Sequence, residues 1–403
     1  MSSSILATGT SVPSHKMSQA EALAMFQDLA CVDARQRRLA KVLFERAKVE
    51  NRYTFVPHKS AYRWCLDDQT PTPKITAGGT LTIAPDPIPC VNPGASPGLS
   101  TGQRMRLYDL YASELAIASA KQAIQSSDRS SDCITHLVTV SCTGFASPGV
   151  DVSLIKSLSL APTVQRIHVG FMGCHGAVNG IRAAMNIANS DPMATVLVCC
   201  VELCSLHCRF QWGPEDNEKI IGNALFGDGS ASLIIANNDA EDNDIRDHKS
   251  ADWEIIDTGS VLIDDSQASL RWDIGDHGFE MVLNSDIGGR IESALSNWLS
   301  RWLNQRDLSF EDINCWVVHP GGPKIISSVQ SSLKLTNQQL SVSLDVLKRY
   351  GNMSSPTVLF ILEEFKKAIS ASKVETAEAT PKHALIIAFG PGMVAEIALL
   401  KIR

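Results

Sequence analysis

The amino-acid sequence predicts an α/β fold, a mostly parallel sheet covered by helices. Apolar runs of strand length alternate with helical stretches along most of the chain, and each half carries a strand that ends in a glycine-rich turn. The composition, 44% hydrophobic and 20% charged over 403 residues, is sufficient to fill the large core such a fold requires.

In chain order, "LYDLYASELAIASAKQAIQ" carries the 3.6-residue period of a helix with one buried face, and "THLVTVSC" follows as a short strand run rich in β-branched residues. "IHVGFMG" then leads into "GAVNGIRAAMNIANS", and "ATVLVCCVEL" closes this series. In the second half "IGGRIESALSNWLSRWL" precedes "CWVVHPGG", and "PTVLFILEEFKKAI" precedes "ALIIAFGPG". A helix between two strands returns the chain across the sheet and so favours parallel neighbours. No exact repeat is visible, so any duplication of the halves is structural only.

Two segments interrupt the alternation. Residues 66–102 concentrate Pro, Gly, Thr and Ser and read as a long surface excursion; residues 237–250 are polar and mostly acidic and read as a solvated connection. The division is placed there, giving an N-terminal half of residues 1–240 and a C-terminal half of residues 251–403.

Lys and Arg number 36 against 43 Asp and Glu, a net charge of −7, so no overall basic field draws in nucleic acid or anionic lipid. The opening "MSSSILATGTSVPSHK" lacks a basic, then apolar, leader, and no run approaches the ~20 apolar residues of a membrane span. These features predict a cytoplasmic protein without membrane attachment, whose eleven cysteines are reduced thiols.

Three residues form a chemical set. Cys174 stands where "HVGFMG" turns into a helix, with Gly173 and Gly176 leaving room at the sulfur, and a helix N-terminus favours the thiolate. His319 follows the strand "CWVV" and precedes a Pro-Gly-Gly turn; Asn352 lies in "YGNMSSPTVLF", just before residues suited to start a helix. Each alone reads equally as a structural residue. Together they can carry an acyl group as a thioester and donate hydrogen bonds to a thioester oxygen as charge develops there. A Cys-His-Asn set also serves thiol hydrolases, so the set alone leaves condensation and hydrolysis both open.

"GFMGCHGA", "ALFGDGSASLII", "VVHPGGPKI", "YGNMSSPTVLF" and "AFGPGMVAEI" occur in the order and spacing of the type III polyketide synthases, the chalcone and stilbene synthase-like family, which the chain resembles over nearly its whole length. "SCTGFASPGVD", "VELCSLHC" and "RWDIGDHGFEM" bring it closer to the microbial members. The resemblance implies a thiolase fold, a five-layered αβαβα body of two similar halves, as a homodimer. It assigns Cys174 as the nucleophile loaded by a starter acyl-CoA, and His319 and Asn352 as the residues that bind malonyl-CoA and stabilise the enolate left by decarboxylation. Phe226 matches the family's gatekeeping phenylalanine. Cys142, Cys204, Leu206, His207, Trp272, Met281 and Ser354 fall on substrate-binding positions, and Arg38, Lys41 and Arg46 lie where CoA phosphates are held. No metal or redox cofactor is implied, because decarboxylation itself supplies the carbanion.

The cluster "CCVELCSLHC" does not have the two separated Cys pairs of a zinc site, and adjacent strand residues such as Cys199 and Cys200 face opposite ways. Trp272 stands where plant members commonly have glycine, His175 replaces their phenylalanine after the nucleophile, and Ser147 stands where they often have a methionine. The resemblance implies iterative condensation of malonyl-CoA onto an acyl starter, closing to an aromatic or pyrone product. The rival is a single condensation of the ketoacyl carrier-protein synthase III kind; a thiol hydrolase and a silent scaffold are the readings from other classes.

Overall fold

The computed structural model describes residues 2–55, 74–75, 81–82, 98–209, 217–238, 253–371 and 383–402. Its elements in chain order are β1 (Ser3–Ser11), β2 (His15–Ser18), α1 (Gln19–Ala30), α2 (Ala34–Arg46), β3 (Asn51–Thr54), β4 (Lys74–Ile75), β5 (Leu81–Thr82), α3 (Thr101–Ser126), β6 (His136–Ser141), α4 (Val150–Ser157), β7 (Gln165–Gly170), α5 (Gly176–Ser190), β8 (Thr195–Leu203), α6 (Asn217–Leu225) and β9 (Asp228–Asn237). The second series is β10 (Trp253–Leu262), β11 (Leu270–Gly275), β12 (Gly278–Leu283), α7 (Ile287–Asn304), β13 (Cys315–Val318), α8 (Pro323–Leu333), α9 (Ser341–Tyr350), α10 (Thr357–Ala371), β14 (His383–Gly390) and β15 (Val394–Ile402).

Nine strands share one sheet in the order β13-β14-β15-β10-β1-β9-β8-β6-β7. Outward from the central β1–β10 contact the halves match: each has two antiparallel pairings, then a parallel one. The duplication is therefore one of topology. The expected mostly parallel sheet is corrected here, since only β6–β7, β6–β8 and β13–β14 run parallel. Strands β1, β9, β10 and β15 make the middle antiparallel and need no helical crossover between neighbours.

Alternation of side chains along the strands builds five layers. Val138, Val198, Leu233, Val317, Ile386 and Leu400 turn one face of each half onto a central pair of helices, α5 and α10, forming a single buried cluster. On the opposite face of the first half Leu137, Leu197 and Cys199 pack against α3 and α4. On that of the second, Trp316, Leu385 and Ile397 pack against α7 and α8. Cys199 and Cys200 thus belong to different layers. Among the described residues no helix is long and apolar enough to cross a membrane.

The excursion at 66–102 falls largely outside the described residues; at its described end Ser100 caps α3 in a reciprocal pair with Gln103. The helix therefore starts inside the segment read as irregular. Residues 239–250 of the acidic connection also lie outside the described residues.

The central layer is tight because α5 uses glycine against the sheet. A Cβ on Gly176 would lie 2.8 Å from Val140 Cγ1, and one on Gly180 would lie 3.0 Å from Val140 Cγ2. Overpacking here should cost about 1–3 kcal/mol. Gly176→Val is expected to lower the denaturant midpoint at unchanged slope, whereas Gly102→Ala, with nothing within 4 Å of the new methyl, should leave it unchanged or slightly raised.

Candidate active site

Cys174 occupies a 3-10 turn, Gly173–His175, between β7 and α5. Gly173 has φ +69°, and a Cβ there would lie 2.5 Å from Cδ of Pro391. A Cβ on Gly390 would come within 2.2 Å of the His175 ring. The Gly-Pro-Gly turn between β14 and β15 therefore rests on the nucleophile turn, and glycine on both sides permits the approach.

The helix N-terminus does not decide the state of the thiol. Burial pushes the Cys174 pKa up to about 11, with the nearby Glu202 carboxylate adding to the rise; hydrogen bonds with Ser354 and Asn352 pull the other way. Loss of hydration on burial therefore opposes the thiolate that the helix end favours.

His319 follows β13, with its backbone N–H donating to Ile387 of β14 at 2.8 Å. Its side chain is buried, and neither ring nitrogen has a hydrogen-bond partner among the described residues. Burial first, and the neighbouring His175 second, hold its pKa at about 3, so the imidazole is neutral. Such an orphaned polar ring costs about 1–3 kcal/mol, and it is a ready partner for a ligand.

Asn352 is placed by Phe226. The two form a parallel bridge: Asn352 N–H donates to the Leu225 carbonyl at 2.8 Å, and Gly227 N–H donates to the Asn352 carbonyl at 3.0 Å. Asn352 Oδ1 accepts from Ser354 N–H at 2.7 Å. The side-chain NH2 is then the end free to meet the Cys174 sulfur or an incoming thioester.

Cys174, Cys142, Cys204, Phe226, Trp272, Met281 and Ser354 line a cleft of about 410 Å³ including its open mouth. A second cavity of about 370 Å³ lies behind Cys204, Phe226, Trp272 and Met281, which face both spaces. Trp272 and Met281 are cross-strand partners on the β11–β12 hairpin, and the Trp272 indole N–H donates to the Cys142 carbonyl at 2.8 Å. That bond holds the tryptophan across the space between the two cavities. Phe226 completes the partition, its ring 6.3 Å from that of Trp272. Buried Arg52 donates to the Asn223, Ala224 and Phe226 carbonyls, placing a cation at the C-terminal end of α6 and fixing the approach to Phe226.

His207 lines the second cavity, stacked on Phe279 at 4.3 Å. Its Nε2–H donates to the Thr143 carbonyl at 2.7 Å and its Nδ1 accepts from Phe279 N–H at 2.9 Å, so both nitrogens are occupied. Burial lowers its pKa to about 3. Leu206, placed on the cavity wall by resemblance, is buried in the cluster that includes α3. Arg38, Lys41 and Arg46 are exposed on α2, and that helix packs through Ala40 and Phe44 onto Ile220, Ala224 and Leu225 of α6. The basic surface thus stands next to the helix that leads to Phe226.

Sequence reasoning missed Glu202. It is fully buried on β8, accepts from Cys142 N–H at 3.0 Å and from the Thr143 and Ser355 hydroxyls at 2.7 Å each, and its pKa is raised by burial. A single acid inside the apolar run "TVLVCCVEL" was the available signal.

Residues 88–239 match the N-terminal domain, and residues 254–402 the C-terminal domain, of the chalcone and stilbene synthases. The alpha-pyrone synthesis polyketide synthase-like protein Pks18 of Mycobacterium tuberculosis is 33% identical over 302 residues, covering 74% of this chain and 73% of that protein. The crystal structure of PKS-I from the brown alga Ectocarpus siliculosus superposes with a TM-score of 0.84 at 27% identity, covering 99% of this chain and 98% of that one. The C-terminal type III polyketide synthase domain of Steely1 from Dictyostelium shares the fold, with a TM-score of 0.81 at 23% identity over 100% and 99% of the two chains. The chain belongs to the chalcone and stilbene synthase family, the type III polyketide synthases, and has their thiolase fold. These matches favour the polyketide reading over a ketoacyl carrier-protein synthase III.

With the Cys174 pKa raised to about 11, alkylation of the free enzyme by iodoacetamide at this residue should climb about tenfold per pH unit from pH ~7 to ~10. Peptide mass spectrometry would follow it site by site. A plateau below pH ~8 would mean that the resting residue is already a thiolate.

Proposed function

We propose that this type III polyketide synthase loads an acyl starter from acyl-CoA onto Cys174 and extends it with malonyl-CoA to a cyclised product, an aromatic ring or a pyrone. The relative described as an alpha-pyrone synthesis enzyme supports the pyrone as one outcome. In loading, the Cys174 sulfur attacks the thioester carbonyl and the bond to the CoA sulfur breaks, the proton lost by Cys174 ending on that sulfur as CoA departs as a thiol. The malonyl thioester oxygen then sits between the His319 N–H and the Asn352 NH2. Loss of CO2 leaves an enolate whose negative oxygen these donors stabilise, each by about 3 kcal/mol in the transition state. The enolate carbon attacks the Cys174 thioester, forming a C–C bond and releasing the sulfur.

The observation that carries this reading is the pairing of a buried, neutral His319 without partners and an Asn352 amide turned by Ser354 so that its NH2 faces the sulfur. Both can present donors where an oxyanion would form, and the match to the chalcone and stilbene synthases favours condensation over hydrolysis. Phe226 offers an apolar face beside the malonyl carboxylate and helps it lose its charge as CO2. The cleft at Cys174, with Cys142 and Ser354 on its walls, and the cavity beyond it, with His207, together receive the growing chain, and Cys204, Trp272 and Met281 line both. Arg38, Lys41 and Arg46 hold the CoA phosphates. No cofactor enters these steps.

The protein acts as a homodimer in the cytoplasm on this reading. Strand β7 ends the sheet with exposed residues along Gln165–Gly170, and Phe145, Ile167 and Met172 expose apolar surface beside it. A second copy would cover this edge.

Incubation with labelled malonyl-CoA and a panel of acyl-CoA starters is expected to release CO2 and give cyclised products. Cys174→Ala should form none, and His319→Ala should slow CO2 release about 100-fold. Products extended only once, or turnover only with acyl carrier protein, would contradict the proposal.

A further inference from the structure

The partition between the two cavities stands on a hairpin that the main sheet does not hold. Strands β11 and β12 pair with each other, from Leu270↔Leu283 to Gly275↔Gly278, as a two-stranded sheet of their own. Such a hairpin is at best marginally stable by itself, so its place is set by what it docks on. Ile274 on its outer side is 63% exposed, while Phe279 is buried against His207. Trp272 has one anchor near the sulfur, its bond to the Cys142 carbonyl. The other anchors lie at the tip.

The first turn of α3 grips that tip. Thr101 N–H donates to the Asp276 carbonyl at 2.8 Å, its hydroxyl donates to the Gly275 carbonyl, and the same oxygen accepts from Gly278 N–H at 2.8 Å. His277 Nδ1–H adds a bond to the Gly98 carbonyl at 3.1 Å. Three residues on, and so on the same side of the helix, Arg104 is 5% exposed. Its guanidinium donates to the Leu206 carbonyl and, at 3.4 Å, to that of Cys208, the two that flank His207; its Nε–H donates to the Leu99 carbonyl at 2.9 Å. Gly278, with φ +101°, lies over this side chain, since a Cβ there would be 3.0 Å from Arg104 Cδ and Nε. One turn of helix thus holds both walls of the second cavity: the hairpin with Trp272, Phe279 and Met281, and the turn with Cys204 and His207. Phe279 N–H joins the two walls by donating to His207 Nδ1 at 2.9 Å.

We propose that Thr101 and Arg104 are positioning residues for the second cavity, and that the first turn of α3 thereby sets how many malonyl units the chain receives before it closes. This rests on the polyketide synthase reading above. Neither residue is among the described residues that line the two cavities, so both act through the walls they hold. A hairpin released at its tip lets the gap between Trp272 and His207 widen. Discrimination between chains that differ by one two-carbon unit rests on wall shifts of that kind.

The test is the product distribution of the full-length enzyme given one starter acyl-CoA and labelled malonyl-CoA, beside the rate at which Cys174 is acylated when the starter is supplied alone. Thr101→Val keeps the shape and the backbone bond to Asp276 and removes both hydroxyl bonds. It is expected to raise the share of products one malonyl unit longer or shorter at least about fivefold, with acylation of Cys174 within about twofold of wild type. Thr101→Ser restores the hydroxyl and should restore the distribution. Arg104→Lys, which keeps the charge and loses the planar fork, should shift the distribution as Thr101→Val does. Trp272→Gly removes the partition, so adding Thr101→Val to it should change the product shares by less than about twofold. Hydrogen exchange needs no turnover: the Gly278 amide should exchange at least about tenfold faster in Thr101→Val, with the α5 amides unchanged. The proposal is overturned by an unchanged distribution or unchanged Gly278 exchange in Thr101→Val, by an equal fall in acylation and in every product, or by full additivity with Trp272→Gly. The Thr101 enzymes give that answer even where Arg104→Lys folds poorly. A wild type that releases no CO2 from malonyl-CoA overturns the underlying reading and this role with it, whereas CO2 release with products indifferent to Thr101 overturns the role alone.

Discussion

The close approach of the β14–β15 turn to the turn that carries Cys174 is the contact on which the rest of the site depends. Pro391 lies where a side chain at position 173 would stand, and the His175 ring lies where one at position 390 would stand. Through it the C-terminal half, which brings His319 and Asn352, meets the N-terminal half, which brings the nucleophile. The sheet supports the same junction: β13 pairs with β14 in parallel, so His319 leaves the sheet beside the strand that touches His175. Neither half holds the full set.

Burial sets the chemistry of this junction. It raises the Cys174 thiol, raises Glu202 and lowers both His319 and His207, so at neutral pH the protein groups nearest the sulfur are largely uncharged, with Glu202 as the main potential anion. Charge then appears chiefly when substrate brings it. In such a place a donor aimed at a developing oxyanion has more effect than it would in water. Both ring nitrogens of His207 are occupied, whereas neither nitrogen of His319 has a partner among the described residues, so His319 has bonds left to give.

Much of this was legible in the sequence, and the reasons differ by residue. The central helix was read to its limits, Gly176–Ser190, because its apolar period is unbroken and β7 and β8 flank it as clear strand runs. The positions of Cys174, His319 and Asn352 followed from their setting between strands, turns and helices, reinforced by the family resemblance. Strands β1 and β9 were passed over because "SSILATGTS" and "DGSASLIIAN" mix small polar residues with apolar ones, and without them the sheet read as mostly parallel. The bonds that Glu202 and Glu396 make were invisible, since a lone acid in an apolar strand gains meaning only from partners distant in sequence: Ser355 for one, Asn179 and Arg182 for the other.

The most direct test of the central claim, that Cys174 carries the acyl chain, is the mass of the intact protein and of its Cys174 peptide after brief exposure to a starter acyl-CoA without malonyl-CoA. The account predicts one acyl group per chain, as a thioester on Cys174, discharged when malonyl-CoA is added. An unmodified protein, or an acyl group on Cys142 or Cys204 with Cys174 left free, would contradict it.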